Sequence, residues 1–531
     1  MELDGGYVGA HLGGGSGKSS FTDSNGPAVY SGDVKAPTAL GGIQLGYNLQ
    51  LGRNLVLGVE GDISAAGANG TNTCFASSGD FVSANCRVQY DAMSTVTGRV
   101  GFATGEAGRT LLYAKGGVAW LKQKVDINTN RTDFITETSN QKWGWTVGAG
   151  IERAVAPAWS VKMEYDYADF GSFGMATPES AVLQQLPFPQ YVATAPGNTT
   201  VTQNMHAVKV GLNMKFGTDV SARFDDSEPF HLRGTQRDED PSMLGDVEIG
   251  GRVWYSSGTF QKDLGATTNL AQQTKLISRL TYESPAVSGE VYGRVDGLAD
   301  FFLKGFIGGG KLLSGKMVDE DWVIENNTVP YSNTISDPVR GSIAYATADI
   351  GYAFLRGAGY DIGAFVGYNH YRENKAAYGC AQVASASINA PCAPPIPGST
   401  LVITEDDTWN SVRVGLNGVF MLTDRLKFTA DAAYLPYVRF SGVDDHVLRT
   451  GVPTTLSPER GEGRGVQLEA ILSYYVTPSF NIGAGARYWA MWATDDATTN
   501  AFGNPCPCQT LPARTERFGG FLQAGYSFNS L

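Results

Sequence analysis

A chain of 531 residues is long for one domain, so two or more units are expected. Its formal charge of −12 argues against nucleic acid as a partner. Hydrophobic residues make up 42% and aromatics 11%, with 67 glycines, yet no apolar run approaches the roughly 18 residues of a transmembrane helix. Alternating segments rich in glycine and aromatics are instead the pattern of a transmembrane β-barrel.

Alternation begins at once. In Trp159–Tyr167 the large apolar side chains Trp159, Val161, Met163, Tyr165 and Tyr167 take one face, and Lys162, Glu164 and Asp166 the other. The segment 206–216 repeats this, with Val208, Val210, Leu212, Met214 and Phe216 opposite Lys209, Asn213 and Lys215. A soluble sandwich would alternate too. Glu60, Arg99, Lys115, Glu152, Lys162 and Glu164 interleaved with Gly and Thr read instead as a narrow polar lumen laced with ion pairs. About eight strands are predicted, near 6–14, 41–50, 54–65, 92–104, 109–122, 143–154, 158–170 and 206–216.

Gly6-Tyr7-Val8-Gly9-Ala10, Gly41–Asn48, Ala114–Ala119 and a last strand ending at Phe216 carry a resemblance to the small opacity-type, outer-membrane-protein-A-like barrel family. The resemblance implies an eight-stranded barrel over 1–216 with a role in envelope structure or surface adhesion. No catalytic cluster is apparent in it.

Residues 217–243 crowd Asp219, Arg223, Asp225, Asp226, Glu228, Arg233, Arg237, Asp238, Glu239 and Asp240 together without alternation, and read as a solvated linker. An even-stranded barrel returns its chain to the side on which it began, which would put this linker in the periplasm. One large barrel built from both halves is the rival arrangement.

From 244 onward about ten strands are predicted, with tight turns after even strands and long connections after odd ones, near 261–272, 317–342, 374–406, 442–462 and 494–513. The fold class is therefore all-β: two tandem transmembrane antiparallel barrels, 1–216 and 244–531, in a bacterial outer membrane with the long loops outside. Barrels this narrow leave little aqueous lumen, which weakens a porin reading.

Two motifs open the long connections. Asp319 and Asp321 in Met317–Trp322 stand at i and i+2, on one side of an extended chain, and Asp444 and His446 repeat that spacing. On the third and seventh strands they reach equal height across the lumen. A water held between His446 and one of Asp319 or Asp321 could be deprotonated by the imidazole, with Asp444 orienting it. Two neighbouring carboxylates disfavour double ionisation, so one of Asp319 and Asp321 can serve as an acid. An Asp-x-Asp at a strand end is more often a solvated loop start, and a metal site from these residues lacks further ligands in the loops. Gly308–Gly310 suggests a phosphate loop, but no helix follows it.

With Ser473–Pro478, these motifs resemble the omptins, ten-stranded outer-membrane proteases. The resemblance implies an endopeptidase with Asp319 and Asp321 as the water-side pair and Asp444 and His446 as the base pair. It implies lipopolysaccharide as an activity requirement, with no other cofactor and no metal, and outer-membrane lipid and an extracellular polypeptide as partners. The family's lipopolysaccharide motif falls on Tyr368, His370 and Arg372, so Tyr368 and Arg372 are kept and the acidic member is lost. Gly442 replaces the acid that lines the family's pocket for a basic side chain, so another cleavage specificity is expected. A non-enzymatic adhesin or structural barrel is the alternative. Cys74 with Cys86, and Cys380 with Cys392, would close short loops in an oxidising compartment. Cys506 and Cys508 stay unassigned, the start of the chain lacks a basic, apolar leader, and the oligomeric state is not determined by sequence.

Overall fold

The computed structural model describes residues 5–23, 32–52, 54–76, 83–104, 108–129, 135–156, 158–177, 181–185, 189–193, 197–216, 246–265, 276–297, 300–321, 332–357, 360–384, 392–503 and 509–528. The expected linker, Trp322, Cys506 and Cys508 lie outside these residues. The described residues form two separate units, and almost all of them are strand.

The first unit contains β1 (Gly5–Asp23), β2 (Asp33–Leu51), β3 (Leu55–Ala76), β4 (Ser83–Thr104), β5 (Thr110–Thr129), β6 (Ile135–Ala156), β7 (Trp159–Thr177), a small hairpin of β8 (Ala181–Gln185) and β9 (Pro189–Ala193), and β10 (Gly197–Phe216). Antiparallel pairing in the order β1-β10-β7-β6-β5-β4-β3-β2 closes an eight-stranded barrel. Alternation decides which side chain faces where. Along β7, Ser160, Lys162, Glu164 and Asp166 are buried in the lumen while Trp159 and Tyr165 are exposed, and Ile43, Leu45, Tyr47 and Leu49 form the same outward stripe on β2. The outward residues make the apolar band of a membrane-spanning barrel.

The lumen divides into two halves. One is ionic: Lys162 Nζ lies 2.8 Å from Glu60 Oε1, Arg99 3.1 Å from Glu152, Lys115 2.9 Å from Glu164 and Lys209 3.1 Å from Asp62. The other is apolar, filled by Phe21, Val88, Tyr90, Leu121, Val125, Ile127, Phe170 and Met205 around the Cys74–Cys86 disulfide, whose Cα atoms are 5.6 Å apart. The apolar half corrects the expectation of a polar lumen throughout. The strands also outrun their predicted ends. On β5 the inward Leu121, Val125 and Ile127 stay buried while Lys122 and Lys124 are exposed, so the hydrophobic alternation reverses sense above the band.

The second unit contains β11 (Val247–Gly265), β12 (Leu276–Glu283), β13 (Ala286–Asp296), β14 (Phe301–Leu312), β15 (Gly315–Asp321), β16 (Ser332–Gly357), β17 (Tyr360–Ala384), β18 (Ile396–Thr423), β19 (Leu426–Asp445), β20 (Leu456–Tyr475), β21 (Phe480–Thr499), β22 (Gln509–Thr510) and β23 (Ala513–Phe528). The sheet runs β12-β15-β16-β14-β13-β11-β23-β21-β20-β19-β18-β17 and closes through β16–β17. Taking β12 with β13, and β14 with β15, as halves of single spans, its twelve segments make ten spans. Each half-span break is local. Pro285 has no N–H to give the ladder. Around it Ser284 and Gly258 exchange backbone hydrogen bonds, and Leu313 donates to the Pro285 carbonyl.

Outward apolar residues again mark a band, with Ile249, Val253 and Tyr255 on β11, Val412, Val414 and Leu416 on β18, and Leu522 and Tyr526 on β23. Beyond that band β17, β18, β19 and β20 continue into regions read from sequence as the loops 374–406 and 442–462. There the inward positions are mixed apolar and charged, such as Ile403, Glu405, Asp407 and Trp409, so apolar patterning alone ends the strands too early. A disulfide joins Cys380 on β17 to Cys392 just before β18, their Cα atoms 5.5 Å apart.

Candidate active site

The site sits where β11, β15, β18, β19 and β20 rise past the apolar band. Seven residues separate Lys262 from Tyr255, the last outward apolar residue of β11, or about 23 Å of strand. Asp319 pairs in register with Leu280, and Asp321 with Ser278, so both aspartates share one face of β15 while Glu320 is buried on the other. Asp444 is the register partner of Glu405 on β18 and of Ser457 on β20.

His446 follows β19 directly. Its backbone N–H donates to Thr455 O at 3.1 Å, and its carbonyl accepts from Arg449 N at 2.8 Å, which fixes the turn. Its ring meets Phe502 edge-on, with centroids 5.2 Å apart, and the Arg449 guanidinium covers the same phenyl ring at 3.9 Å. Phe502 in turn is tied to β20, its N–H donating to Ser457 Oγ at 3.1 Å. His446 Nδ1 stands 3.3 Å from Asp444 Oδ1, an ion-pair contact in which neither atom has a well-aligned hydrogen bond.

Electrostatics set the roles apart. Burial by itself would push the Asp444 carboxyl up, but Lys262 and His446 outweigh it and hold the group at about 2. Asp319 moves the other way: burial, then the charges of Asp321 and Asp444, push it well above the ordinary carboxylate range. Asp319 is in register with Leu280, and Leu280 with Lys262, whose ammonium lies 2.9 Å from Asp444 Oδ2, so strand register brings the two sequence motifs to the same level of the barrel. The arrangement offers an imidazole backed by an anion and, facing it, a carboxylic acid: the components of acid–base hydrolysis.

Three further residues went unread in the sequence. Lys262 Nζ lies 2.5 Å from Glu405 Oε2, 2.7 Å from Glu459 Oε1 and 2.9 Å from Asp444 Oδ2. Glu405 and Glu459 fall in predicted loops and Lys262 just past a predicted strand end. The period-two run Ile403, Glu405, Asp407, Trp409 was the available signal.

On the outer face of β17, Tyr368 Oη donates to Asn410 Oδ1 at 2.7 Å, and His370 Nδ1 lies 2.9 Å from the same oxygen. Arg372 makes a two-armed contact with Asp406 of β18, at 2.9 and 2.5 Å. A carboxylate therefore stands beside Arg372 from the neighbouring strand, although the position between Tyr368 and Arg372 is His370.

Two closed antiparallel barrels with outward apolar bands define a bacterial outer-membrane β-barrel protein. The chain belongs to the outer membrane protein beta-barrel family, whose domain model matches residues 2–216, and it carries an Omptin family domain over residues 302–503. The 31 kDa outer-membrane immunogenic protein of Brucella melitensis is 31% identical over 220 residues, covering 40% of this chain and 83% of that protein. A 22 kDa outer membrane protein of Rhizobium leguminosarum bv. viciae is 30% identical over 151 residues, covering 27% of this chain and 62% of that protein. Among solved structures, the outer membrane protease OmpT of Escherichia coli aligns with 53% of this chain and 97% of its own, at 16% identity and a TM-score of 0.46.

Proposed function

We propose that the second barrel is an outer-membrane endopeptidase that hydrolyses peptide bonds of extracellular polypeptides at its rim. The observation that carries this reading is the Asp444–His446 contact, 3.3 Å long, at the level to which strand register also brings Asp319. His446 takes a proton from water as the water attacks the carbonyl carbon, and Asp444 stabilises the resulting imidazolium. The protonated member of the Asp319–Asp321 pair donates to the carbonyl oxygen as charge develops there; His446 then protonates the leaving amine as the C–N bond breaks, and the aspartate takes its proton back from the hydroxyl that becomes the product's carbonyl.

The organisation proposed around this chemistry is an eight-stranded barrel at 1–216, a periplasmic linker at 217–243 and the enzymatic barrel at 244–531, with the site and the long loops outside the cell. Lipopolysaccharide is the lipid partner, held on the outer wall by Tyr368 and Arg372. The rival reading, an adhesin or structural barrel pair, requires nothing of His446.

The test is cleavage of a mixed peptide library by the folded chain with lipopolysaccharide, beside His446→Ala and Asp319→Ala. Loss of the base is expected to lower the rate by about 10² to 10⁴. Failure of the folded wild type to cleave any library member would leave the adhesin.

A further inference from the structure

We propose that Lys262, by crossing the lumen to Asp444, Glu405 and Glu459, is a positioning residue that holds Asp444 as an anion turned toward His446. This inference rests on the endopeptidase reading for its kinetic consequence, and on geometry alone for its structural one.

Lys262 is fully buried on β11, whereas its three partners stand on β18, β19 and β20. An ammonium has three N–H bonds, and each has a carboxylate oxygen within 2.9 Å. Asp444 divides its oxygens: Oδ2 accepts from Lys262, and Oδ1 faces His446 at 3.3 Å. The lysine therefore fixes the carboxylate's rotation as well as its charge. Glu405 and Asp444 are register partners, a like-charged pair that opposes the sheet unless a cation lies between them. The carboxylate oxygens of Glu405, Asp444 and Glu459 gather within 4.8 Å of one another, and the Lys262 ammonium fills the space among them.

Within the cluster the carboxyls are driven apart: burial, then the charge of Glu405, push Glu459 well up, whereas Lys262 and His446 hold Asp444 low. Tyr282 on β12, Asp407 on β18, Lys375 on β17, Asp319 on β15 and His446 are the other titratable groups bearing on the cluster. Lys375 is bound to Asp407, so Lys262 is the cation in direct contact with Asp444.

The experiment compares wild type, Lys262→Arg and Lys262→Met in the full folded chain. Lys262→Met is expected to lower kcat at pH 7 by at least about tenfold with KM nearly unchanged, and its kcat is expected to climb from pH 6 to 9 as Asp444 regains its charge. Lys262→Arg is expected to keep the wild-type pH profile. If Lys262→Met does not reach the folded barrel, Lys262→Met/Glu405→Gln, which removes the carboxylate in register with Asp444, is read in its place. A folded Lys262→Met with wild-type kcat and pH profile overturns the proposal. Titration of the Asp444 carboxyl by carbon NMR, assigned with Asp444→Asn, needs no turnover: its midpoint is expected to rise in Lys262→Met, and an unmoved midpoint overturns the positioning role. Absence of cleavage by wild type together with a raised Asp444 midpoint in Lys262→Met would reject the endopeptidase and retain the lysine's role.

Discussion

Glu405 and Asp444 face each other directly across the β18–β19 ladder, two buried carboxylates in register. Such a pair opposes the sheet unless positive charge lies between its members, and here Lys262 contacts both while Asp444 also meets His446.

Asp444→Asn leaves the shape of the site intact but removes the anion that favours the imidazolium. The expected result is a fall in kcat of about 10² or more at pH 7, with KM little changed. Steady-state kinetics on a peptide cleaved by the wild type checks this, and equal kcat values would remove Asp444 from the reaction.

The site gives the second barrel a stability that rises and then falls on acidification. Asp444, held at about 2, contributes stability present above its unfolded value of about 3.9 and lost as pH drops toward 2. Asp319 and Glu459 are held well above the ordinary range, so the unfolded chain releases their protons more readily and neutral pH costs stability, a cost relieved as pH falls toward about 4. Urea midpoints read by gel mobility should increase from pH 8 to about 5 and decrease below about 4, with Asp319→Asn flattening the first limb. A midpoint that declines steadily from pH 8 contradicts this.

The charged half of the first lumen makes a different kind of demand. Glu60 accepts from Tyr7 at 2.7 Å and from Lys162 at 2.8 Å, with Arg99 3.7 Å away, all buried. Glu60→Leu strands those donors in a closed lumen and is expected to cost about 3–5 kcal/mol. Denaturant unfolding of the full chain measures it. A cost below 1 kcal/mol would mean the network rearranges freely.

On the outer wall the Arg372–Asp406 pair is solvent-facing, so Arg372→Ala is expected to change stability by less than about 1 kcal/mol. The same substitution, and Tyr368→Ala, should instead weaken the dependence of cleavage on lipopolysaccharide. An unchanged lipopolysaccharide titration in both variants would move the lipid site elsewhere.

Much of the fold was legible because lipid enforces a strict rule: Val161, Tyr165 and Leu212 must alternate with Lys162, Asp166 and Asn213 when one face meets hydrocarbon and the other a closed lumen. The Asp319/Asp321 spacing follows the same rule, since i and i+2 share a face of β15, whereas His446 lies in the turn after β19, where the rule does not apply. Above the hydrocarbon the rule lapses. Outward positions such as Lys122 and Asp406 turn polar, inward ones such as Glu405 turn charged, and the strands continue without a hydrophobic signature. Lys262 was invisible for a topological reason: its partners lie about 140 to 200 residues away along the chain, and only barrel closure brings β11 opposite β18–β20.

Beneath the Lys262 cluster lie the buried rings of Phe260, Tyr282, Trp409 and Phe440, and below them Arg517 is bound to Tyr371, Ser284 and Glu373 at 3.0 to 3.1 Å. The cleft thus has a floor several side chains thick. If the proposed cleavage takes place, that floor leaves both fragments on the side from which the substrate came.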